Sequence, residues 1–483
     1  MKERILGQLE PAGVFRFFED LTRIPRGSGH TRAVSDYCAA FARERGLKVR
    51  QDEHNNVIIW KDGTGGLEDR PAVILQGHLD MVLAKTPDCS LDMEREGLQI
   101  EVTEDGFVRA KGTTLGADNG IAVAMILALL DDGSIPHPPL EAVFTSDEEI
   151  GLLGAAALDC SDLRGRVMMN LDSEEEGYLT VGCAGGARCD IQRNLRAERS
   201  QGTLCRVTFS GFAGGHSGME IGRGRANTNQ LTARLLTAVE QVSPVRLVRL
   251  EGGKLDNAIT AHTEAEFLLS GDAEQAREAA QAWWQEERRS FADTDGAGDM
   301  VWEELGSADL EACTEADSRL AAALLCRLPS GVIAMSQDIP GLVETSANFG
   351  VLLLEQGHLQ ATVSVRSSLN HAWKGLLADM ESIAGEYGAA FSSRGEYPAW
   401  EYRKESRLRP LMVEVYRELF GQEPVVETIH AGLECGIFCD KIPGLDSVSF
   451  GPQLYDVHTP RERMSVASVQ RTWDYLLHIL ARL

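Results

Sequence analysis

An apolar run near the start of the chain is followed at once by a histidine and an aspartate. Ala72–Leu75 leads into Gly77, His78 and Asp80, which is typical of a buried parallel strand whose carboxyl end opens into a site. Side chains two residues apart on an extended chain face the same way, so the imidazole and the carboxylate lie together. A metal-bound histidine that is oriented by an acid has this arrangement. On these residues alone, a histidine in a structural role is the alternative.

Further acids stand at the start of a predicted core helix or at the ends of predicted strands. The glycine-bracketed loop Gly116–Gly120 holds Asp118 before the uniformly apolar helix Ile121–Leu130, and a helix N-cap is the alternative for this residue. Strands that end one after another in carboxylates indicate a ligand-binding crevice at one edge of a sheet. The polar residues placed in this way are His78, Asp80, Asp118, Glu148, Glu149, Asp172 and His458.

This set of side chains predicts a pair of divalent metal ions. Two imidazoles with several carboxylates and no cysteine are the ligands expected for zinc or another cocatalytic divalent pair. In the simplest assignment Asp118 bridges the two ions. The pairs that complete the two sites are Glu149 with His458 and Asp172 with His78. Glu148 is then left as a general base beside a metal-bound water, and a solvated surface glutamate is the alternative for it.

The composition of the whole chain favours a globular enzyme with two domains. A chain of 483 residues exceeds one ordinary core, and 43% hydrophobic with 25% charged residues is usual for such proteins. The net charge of −26 argues against binding to nucleic acid or to anionic membranes. Since no segment has the composition of a signal peptide or the ~18 apolar residues of a membrane span, a cytoplasmic protein with reduced cysteines is expected.

The first region of the chain has the pattern of an α/β sheet. Residues 11–45 predict helices with a break at Ile24–Gly29, while Val49–Trp60 and Val73–Leu75 predict strands. The turn-rich segment Asp62–Gly66 predicts that these two strands form a hairpin. The last part of the chain returns to this pattern and ends in an amphipathic helix.

The middle of the chain follows a different pattern. It predicts the order strand, helix, strand, strand and helix, which is typical of a ferredoxin-like α+β module. These elements are predicted at Cys205–Gly211, Asn227–Val242, Val245–Leu250, Ala265–Leu269 and Ala273–Arg288. The predicted architecture is therefore an α/β catalytic domain, a sheet flanked by helices, formed by residues 1–186 and 398–483, with an inserted α+β ferredoxin-like domain at 187–397.

Several motifs resemble those of one enzyme family. Gly77–Asp80, Gly116–Gly120, Asp147–Glu149, Leu171–Glu174 and the late His458 resemble the dinuclear zinc peptidases that include carnosinases and acetylornithine deacetylases. Within that family the chain is most similar to the bacterial group that cleaves Xaa-His dipeptides. The motifs that carry this finer similarity are Lys111–Gly120, Asp172–Gly177, Gly182–Gly186 and His430–Gly436. The resemblance runs from the first helices to the last one.

The resemblance implies a fold, an activity and a role for each residue of the predicted centre. It implies a zinc-peptidase-like catalytic sheet, with the inserted domain as a lid that also forms a homodimer. It implies hydrolysis of a small dipeptide, with Glu148 as base, Asp80 orienting His78, and a cis peptide after the bridging Asp118. The implied ligands of two divalent ions, Zn²⁺ first with Co²⁺ or Mn²⁺ as alternatives, are His78, Asp118, Glu149, Asp172 and His458.

Other residues match the substrate side of this family. Gly214–Gly218 matches its histidine motif, so that His216, from this or the partner subunit, is expected to stabilise the oxyanion. Arg366 is expected to bind the substrate carboxylate, because its planar fork suits a bidentate contact, and a strand-end salt bridge is the alternative. The remaining substrate-side matches are Asn257, Gly432 and Glu434. The chain departs from the family at Thr260–Ala261, near Asn257, where Pro-Arg is usual.

Two other functions compete with a dipeptidase. An N-acyl amino-acid deacylase or a carboxypeptidase on the same scaffold is the nearest, because the metal ligands do not distinguish among amide substrates. A metal-storing or regulatory binding protein is a different class, and the presence of Glu148 disfavours it, since binding alone needs no base. The preference for Xaa-His dipeptides rests on the resemblance alone.

Overall fold

The structure, a computed structural model, describes residues 4–483, and the chain separates into two units. The first unit is formed by residues up to Cys183, by Tyr402–Thr428 and by Leu433–Leu483, and the second by Ala184–Glu401 and Ile429–Gly432. The boundaries predicted after residues 186 and 397 differ from these divisions by a few residues. The assignment of residues 429–432 to the second unit was not predicted, because so short a segment leaves no mark in the hydrophobic pattern.

The first part of the first unit mixes helices and short strands. Its helices are α1 (Ala12–Thr22), α2 (Arg32–Glu44), α3 (Ala117–Asp131) and α4 (Leu153–Ala157). Its strands are β1 (Lys48–Gln51), β2 (Val57–Lys61), β3 (Val73–His78), β4 (Ile100–Val102), β5 (Phe107–Ala110), β6 (Leu140–Thr145), β7 (Val167–Asn170) and β8 (Tyr178–Cys183).

The second unit follows, and its strands are longer. Its helices are α5 (Thr228–Glu240), α6 (Ala273–Glu287), α7 (Ala292–Asp295), α8 (Glu315–Arg327) and α9 (Asn370–Glu386). Its strands are β9 (Gly185–Asn194), β10 (Ala197–Ser210), β11 (Gly215–His216), β12 (Val245–Gly252), β13 (Ala258–Ile259), β14 (Thr263–Leu269), β15 (Asp299–Cys313), β16 (Gly331–Met335), β17 (Val343–Glu355), β18 (His358–Ser367) and β19 (Ala390–Tyr397).

The chain then returns to the first unit and completes its sheet. The helices of this part are α10 (Leu408–Phe420), α11 (Glu434–Lys441) and α12 (Val466–Leu480). Its strands are β20 (Val425–Ile429), β21 (Asp446–Ser449), β22 (Leu454–Tyr455) and β23 (Arg463–Ser465). The predicted amphipathic last helix is α12, which buries Val469, Trp473 and Leu476.

The main sheet of the first unit has the strand order β1-β2-β6-β3-β7-β21-β8-β20. Strand β3 is parallel to β6 and to β7, and β21 is parallel to β7, so the carboxyl ends of these strands lie at one edge. The predicted hairpin of β2 with β3 is wrong, because β2 pairs with β1 and with β6. All six residues of β3 are buried, and a strand covered on both faces belongs in the interior of a sheet.

A helix without a polar face forms the centre of this unit. Residues 117–130 of α3 are all buried, and α3 packs against α1 and β3. Helix α1 buries Val14, Phe17, Phe18 and Leu21. Although α3 is apolar, no helix within residues 4–483 is long and apolar enough to cross a membrane. The cysteines are free thiols, as expected.

The second unit is built on an antiparallel sheet with the order β15-β10-β14-β12-β17-β18-β9-β19, and β16 joins it on β17. The predicted strand, helix, strand, strand and helix are β10, α5, β12, β14 and α6. In the described chain, however, the sheet has nine strands, more than a ferredoxin-like module. Strand β15 was not predicted, because most of its side chains are exposed and it has no apolar alternation.

Candidate active site

The side chains predicted as metal ligands come together at the carboxyl edge of the main sheet. His78 is the last residue of β3, and Asp172 follows β7 by two residues. Asp118 lies in the first turn of α3, and Glu149 follows β6. His458 comes from the loop between β22 and β23. His78 and Asp118 are buried, whereas the His458 side chain is about half exposed.

Asp118 lies between the two histidines. Its Oδ1 is 3.1 Å from His78 Nε2 and its Oδ2 is 3.0 Å from His458 Nε2. Glu149 Oε1 lies 3.0 Å from His458 Nε2, and Asp172 Oδ1 lies 3.4 Å from His78 Nε2. Helix α3 has Gly116 as its N-cap residue, without a side-chain cap, so the N-cap interpretation of Asp118 is not supported. The peptide bond after Asp118 is cis, as the family resemblance implies.

The donor set fits a pair of divalent cations. Ligand atoms that lie within 4.8 Å of one another form the groups His78–Asp118–Asp172, Asp118–Glu149–His458 and His78–Glu148–Glu149. The first two groups share Asp118. Among the described residues, Asp172 Oδ1 is buried and makes no hydrogen bond, and its ion-pair contact with His78 Nε2 is long at 3.4 Å. A buried carboxylate oxygen without a donor is costly, and a cation bound by carboxylate and imidazole ligands removes that cost.

The pKa values of these groups indicate an excess of buried negative charge. Burial opposes ionisation of Asp118, but hydrogen bonds from His458 and His78 hold the pKa of Asp118 below its usual range. Burial raises the pKa of Asp172 to about 6. Hydrogen bonds to Asp118 and Glu149 raise the pKa of His458 to about 11. The imidazoles are thus stabilised in their charged forms by the same acids that would bind metal.

Asp80 connects the end of β3 to the chain that follows β6. Its carboxylate accepts hydrogen bonds from the backbone N–H groups of Glu148 (3.0 Å) and Glu149 (3.2 Å) and from the Ser28 hydroxyl (2.8 Å). Its Oδ1 is also 3.4 Å from His78 Nδ1. Asp80 therefore faces His78, as predicted, and in addition fixes the backbone that carries Glu148.

Glu148 is placed by a tight turn. Asp147 has the left-handed φ of 54°, and its Oδ1 accepts the N–H of Gly29 at 2.7 Å. Burial raises the pKa of Glu148 well above its usual value; Asp172 and Glu434 add to the rise, and His78 opposes it. A carboxyl group whose pKa is raised holds a proton more readily, so it can both accept and return one.

A buried polar network lies behind the ligands. Glu434 Oε2 accepts hydrogen bonds from Gln76 Nε2 (2.5 Å) and Thr145 Oγ1 (2.7 Å), and Asn170 Nδ2 donates to Gln76 Oε1. The other oxygen of Glu434 is buried without a hydrogen-bond partner among residues 4–483. Burial raises the pKa of Glu434 to about 8. Glu434 is therefore a buried acid of the first unit rather than a surface acid.

In the second unit, the contacts of His216 decide which of its ring nitrogens carries the proton. The backbone N–H groups of Gly218 and Met219 donate to His216 Nδ1 at 3.2 and 3.1 Å. Since Nδ1 accepts, the proton of a neutral ring lies on Nε2. Burial, assisted by the nearby Arg366, lowers the pKa of His216. His216 is thus a neutral donor through Nε2.

Arg366 belongs to the same unit and has an oriented guanidinium. Its Nη1 donates to the Tyr397 hydroxyl at 3.0 Å, and within the described part of this unit no carboxylate pairs with it, so the salt-bridge interpretation is not supported. The Tyr397 ring covers Gly432, where a Cβ atom would lie 2.8 Å from Tyr397 Cε2. His430 Nε2 is 2.7 Å from Ser346 Oγ, and Ser346 is the register partner of Arg366.

The segment around Asn257 is fixed by backbone pairing. Strands β11 and β13 place His216 opposite Ala258, and the Asn257 carbonyl accepts the N–H of Ser217 at 2.9 Å. The Asn257 side chain is exposed. Thr260, which departs from the family pattern, donates its hydroxyl to the Gly350 carbonyl at 2.9 Å.

Comparison with known proteins now decides the family. Residues 74–482 match the model of peptidase family M20/M25/M40. The chain is 34% identical to the cytosol non-specific dipeptidase of Escherichia coli K12 over 480 residues, 98% of each chain. It belongs to the M20 family. The crystal structure of aminoacylhistidine dipeptidase from Vibrio alginolyticus is 34% identical, covers 99% of this chain and 98% of its own, and has a TM-score of 0.91.

The M20 membership confirms the family resemblance and the α/β fold predicted from the sequence. The structure of aminopeptidase PepT from Bacillus cereus, 15% identical with a TM-score of 0.56 over 98% of both chains, shares the fold. In this M20 chain the predicted ligands, Asp80, Glu148 and Glu434 lie in the first unit. The predicted substrate-side residues His216, Asn257, Arg366 and Gly432 lie in the second.

Sequence reasoning missed three side chains that hold these residues. Arg26 and Glu462 are buried charges beside the metal ligands, and Tyr397 holds Arg366. Arg26 lies in a predicted helix break and Glu462 lies between two arginines, so both have the appearance of surface residues. Of the three, only Tyr397 had a feature that could have indicated its role, which is its position close to the end of the predicted inserted domain.

Proposed function

We propose that this M20 chain is a metal-dependent dipeptidase, which cleaves small dipeptides with a free carboxyl terminus, Xaa-His dipeptides among them. The observation that carries the proposal is the position of Asp118, whose two oxygens face two separate groups of ligands, with Glu148 beside them. A shared carboxylate between two three-residue groups is the arrangement of a cocatalytic metal pair.

We assign the metal ligands as the sequence suggested. His78 and Asp172 would hold one ion, Glu149 and His458 the other, and Asp118 both. Zn²⁺ suits this mixture of imidazole and carboxylate best, with Co²⁺ and Mn²⁺ as alternatives. When bound, such ions polarise a carbonyl and lower the pKa of a water molecule.

Glu148 is the general base in this mechanism. It would take a proton from the attacking water and deliver it to the amine that leaves, so that the peptide bond is exchanged for a carboxylate and an amino group. Its raised pKa supports this role, because a strongly acidic carboxyl would not hold the proton between the two steps. Asp80 keeps Glu148 in place through the backbone bond and orients His78.

The second unit supplies recognition. His216 is a neutral Nε2 donor and is suited to the oxyanion that develops on the scissile carbonyl. Arg366 is suited to binding the terminal carboxylate, since its hydrogen bond to Tyr397 orients the guanidinium. On the family resemblance, we also assign Asn257 and Gly432 of this unit, and Glu434 of the first unit, to further substrate contacts.

The relatives support a dipeptide substrate. One is named a non-specific dipeptidase and the other an aminoacylhistidine dipeptidase, so a range of dipeptides that includes Xaa-His is proposed. A deacylase or carboxypeptidase on the same scaffold is the alternative. We further propose a cytoplasmic homodimer in which the second unit, corresponding to the predicted domain 187–397, is the lid and the dimer contact. Exposed apolar side chains on β15 and β16, among them Val301, Leu305 and Ile333, support such a contact.

The test is hydrolysis of a dipeptide panel, β-alanyl-histidine included, by zinc-loaded wild type and Glu148→Ala. Glu53→Ala, which changes an exposed glutamate of the same unit, is the matched control. We expect wild type and control to cleave dipeptides. Glu148→Ala should lose roughly 10²–10⁴-fold in the rate of hydrolysis while it still binds two metal ions. A wild type that holds two ions, cleaves no dipeptide and releases acetate from acetylated amino acids would favour the deacylase.

A further inference from the structure

We propose that Glu462 and Arg26 are a pair of positioning residues, which clamp the backbone of residues 115–118 and thereby fix the carboxylate of Asp118. The inference rests on the proposed metal centre. Neither side chain hydrogen-bonds to a proposed metal ligand's side chain, and both act through backbone groups.

Glu462 occupies a concave array of backbone N–H groups. Its Oε2 accepts from Leu115 (2.7 Å) and Gly116 (2.9 Å), and its Oε1 accepts from Ala117 (2.7 Å) and Asp118 (3.3 Å). Gly116 has φ 67°, and this left-handed residue turns successive N–H groups toward one point, as in an anion-binding nest. Glu462 is buried, so this anion-binding nest is occupied by a carboxylate of the protein itself.

Arg26 holds the carbonyl side of the same segment. Its Nη1 donates to the carbonyls of Leu79 (2.9 Å) and Asp80 (3.1 Å), and its Nη2 donates to the carbonyl of Gly116. A Cβ atom at residue 116 would lie 2.5 Å from Arg26 Nη2, so only glycine allows this approach. The guanidinium thus joins the end of β3, which carries His78, to the turn that carries Asp118.

Together the two residues link the three segments that bring His78, Asp118 and His458 to the centre. Glu462 lies four residues after His458, and its N–H donates to the Thr459 carbonyl at 3.0 Å. Burying a guanidinium and a carboxylate is costly unless hydrogen bonds compensate each charge. Glu462 accepts four, and Arg26 donates three, while Arg26 Nε has no hydrogen-bond partner among residues 4–483. In this protein both charges hydrogen-bond to backbone groups of the segments that carry the proposed ligands. These are the segments that a metal site must hold rigid.

The competing explanation is that Glu462 merely stabilises the start of α3. The two explanations differ in what the change Glu462→Gln does. An amide has one accepting oxygen, so its NH₂ group would face two backbone N–H donors and the turn at Asp118 would move. A positioning role therefore predicts weaker metal binding, whereas a purely structural role predicts lower stability alone.

Glu141 provides a matched control in the same unit. It is also a buried glutamate, and it accepts the backbone N–H groups of Arg164 and Gly165 at 2.9 Å, at the start of β6 and away from the ligands. Chelator-treated full-length wild type, Glu462→Gln and Glu141→Gln are titrated with Co²⁺. The dissociation constants are measured by calorimetry, the visible Co²⁺ absorption spectrum is recorded, and the thermal midpoints of the apo forms are compared.

We expect both variants to lose stability, but only Glu462→Gln to change the Co²⁺ spectrum and to raise a Co²⁺ dissociation constant by roughly 10- to 100-fold. Unchanged Co²⁺ affinity and spectrum in a folded Glu462→Gln would overturn the inference and leave the proposed function intact. A wild type that binds no Co²⁺ would overturn both. If Glu462→Gln does not fold, Arg26→Lys takes its place in the same titration, with the same expected weakening and the same opposing outcome.

Discussion

Each unit contains a polar cluster: the first cluster is formed by the proposed metal ligands, and the second by His216, Arg366 and His430. The pKa values of their histidines are shifted in opposite directions. Beside the proposed metal ligands, Asp118 and Glu149 raise the pKa of His458 to about 11. In the second unit, burial and the guanidinium of Arg366 lower the pKa of His430 to about 4. Near pH 7 the same side chain is therefore charged in one cluster and neutral in the other.

The difference indicates what each cluster is built to receive. The first contains more buried carboxylates than imidazoles, so a bound cation lowers its energy. The second contains one fixed cation, Arg366, and the neutral donor His216, so it suits an anion or a developing oxyanion. These are two separate requirements of the proposed dipeptide hydrolysis, namely bound metal ions and donors for a carboxylate or an oxyanion.

The largest expected effect comes from breaking the first cluster at its centre. Asp118→Asn removes the charge that faces both groups of ligands, so we expect both metal ions to be lost and dipeptide hydrolysis to fall by more than about 1,000-fold. Asp172→Asn, which faces His78 alone, is the comparison and should lose one ion. Metal content by elemental analysis checks this prediction. Two ions retained in Asp118→Asn would contradict a shared ligand.

A smaller effect concerns the stability of the second cluster in acid. The pKa of His430 is about 4 in the folded chain and about 6.5 in the unfolded chain. Neutral His430 therefore contributes fully to the free energy of unfolding above pH 6.5, and this free energy falls by about 3 kcal/mol as the pH falls toward 4. Five of the seven tryptophans lie in this unit, so fluorescence during urea unfolding reports on it. In His430→Gln the loss between pH 6.5 and 4 should be smaller by that amount, and an identical loss would contradict a neutral buried His430.

The two clusters also differ in how far the sequence alone predicts them. The positions of His78, Glu149 and Asp172 could be predicted, because each lies at or just beyond the end of an apolar strand and parallel strands share a carboxyl edge. The link between β2 and β3 could not, since glycine-rich segments serve hairpins and crossovers alike. Nine strands in the second sheet were also beyond prediction, because β15 has no apolar alternation.

Residues that act through the backbone leave no pattern in a sequence. Glu462 stands between two arginines and Arg26 lies in a predicted helix break, and only the fold shows them buried against N–H and carbonyl groups. His216 and Arg366 were selected by family resemblance rather than by spacing. The tautomer of His216 is set by backbone N–H groups of Gly218 and Met219, and the orientation of Arg366 by the Tyr397 hydroxyl, and these contacts become visible only in the structure.

Arg366 gives a more moderate effect, which depends on the substrate. Arg366→Lys keeps the charge and loses the fork, so kcat/KM for a dipeptide should fall roughly 10- to 100-fold. The same dipeptide with an amidated carboxyl terminus should be affected little, because it has no carboxylate to bind. Arg206→Lys, whose wild-type guanidinium pairs with Glu266 at a partly exposed position, is the matched control. An equal loss on both substrates would show that Arg366 does not bind the carboxylate.

The smallest effect is expected at Tyr397, whose hydroxyl accepts from Arg366 Nη1. Tyr397→Phe removes one hydrogen bond that orients the fork, worth about 1 kcal/mol, so KM should rise roughly fivefold with kcat nearly unchanged. Tyr387→Phe, at the end of α9, is the control and should behave as wild type. Because Tyr397 acts through Arg366, adding Tyr397→Phe to Arg366→Lys should cause almost no further loss. Fully additive losses would mean that the tyrosine contacts the substrate by itself, and the second cluster would then recognise the carboxylate with two independent groups.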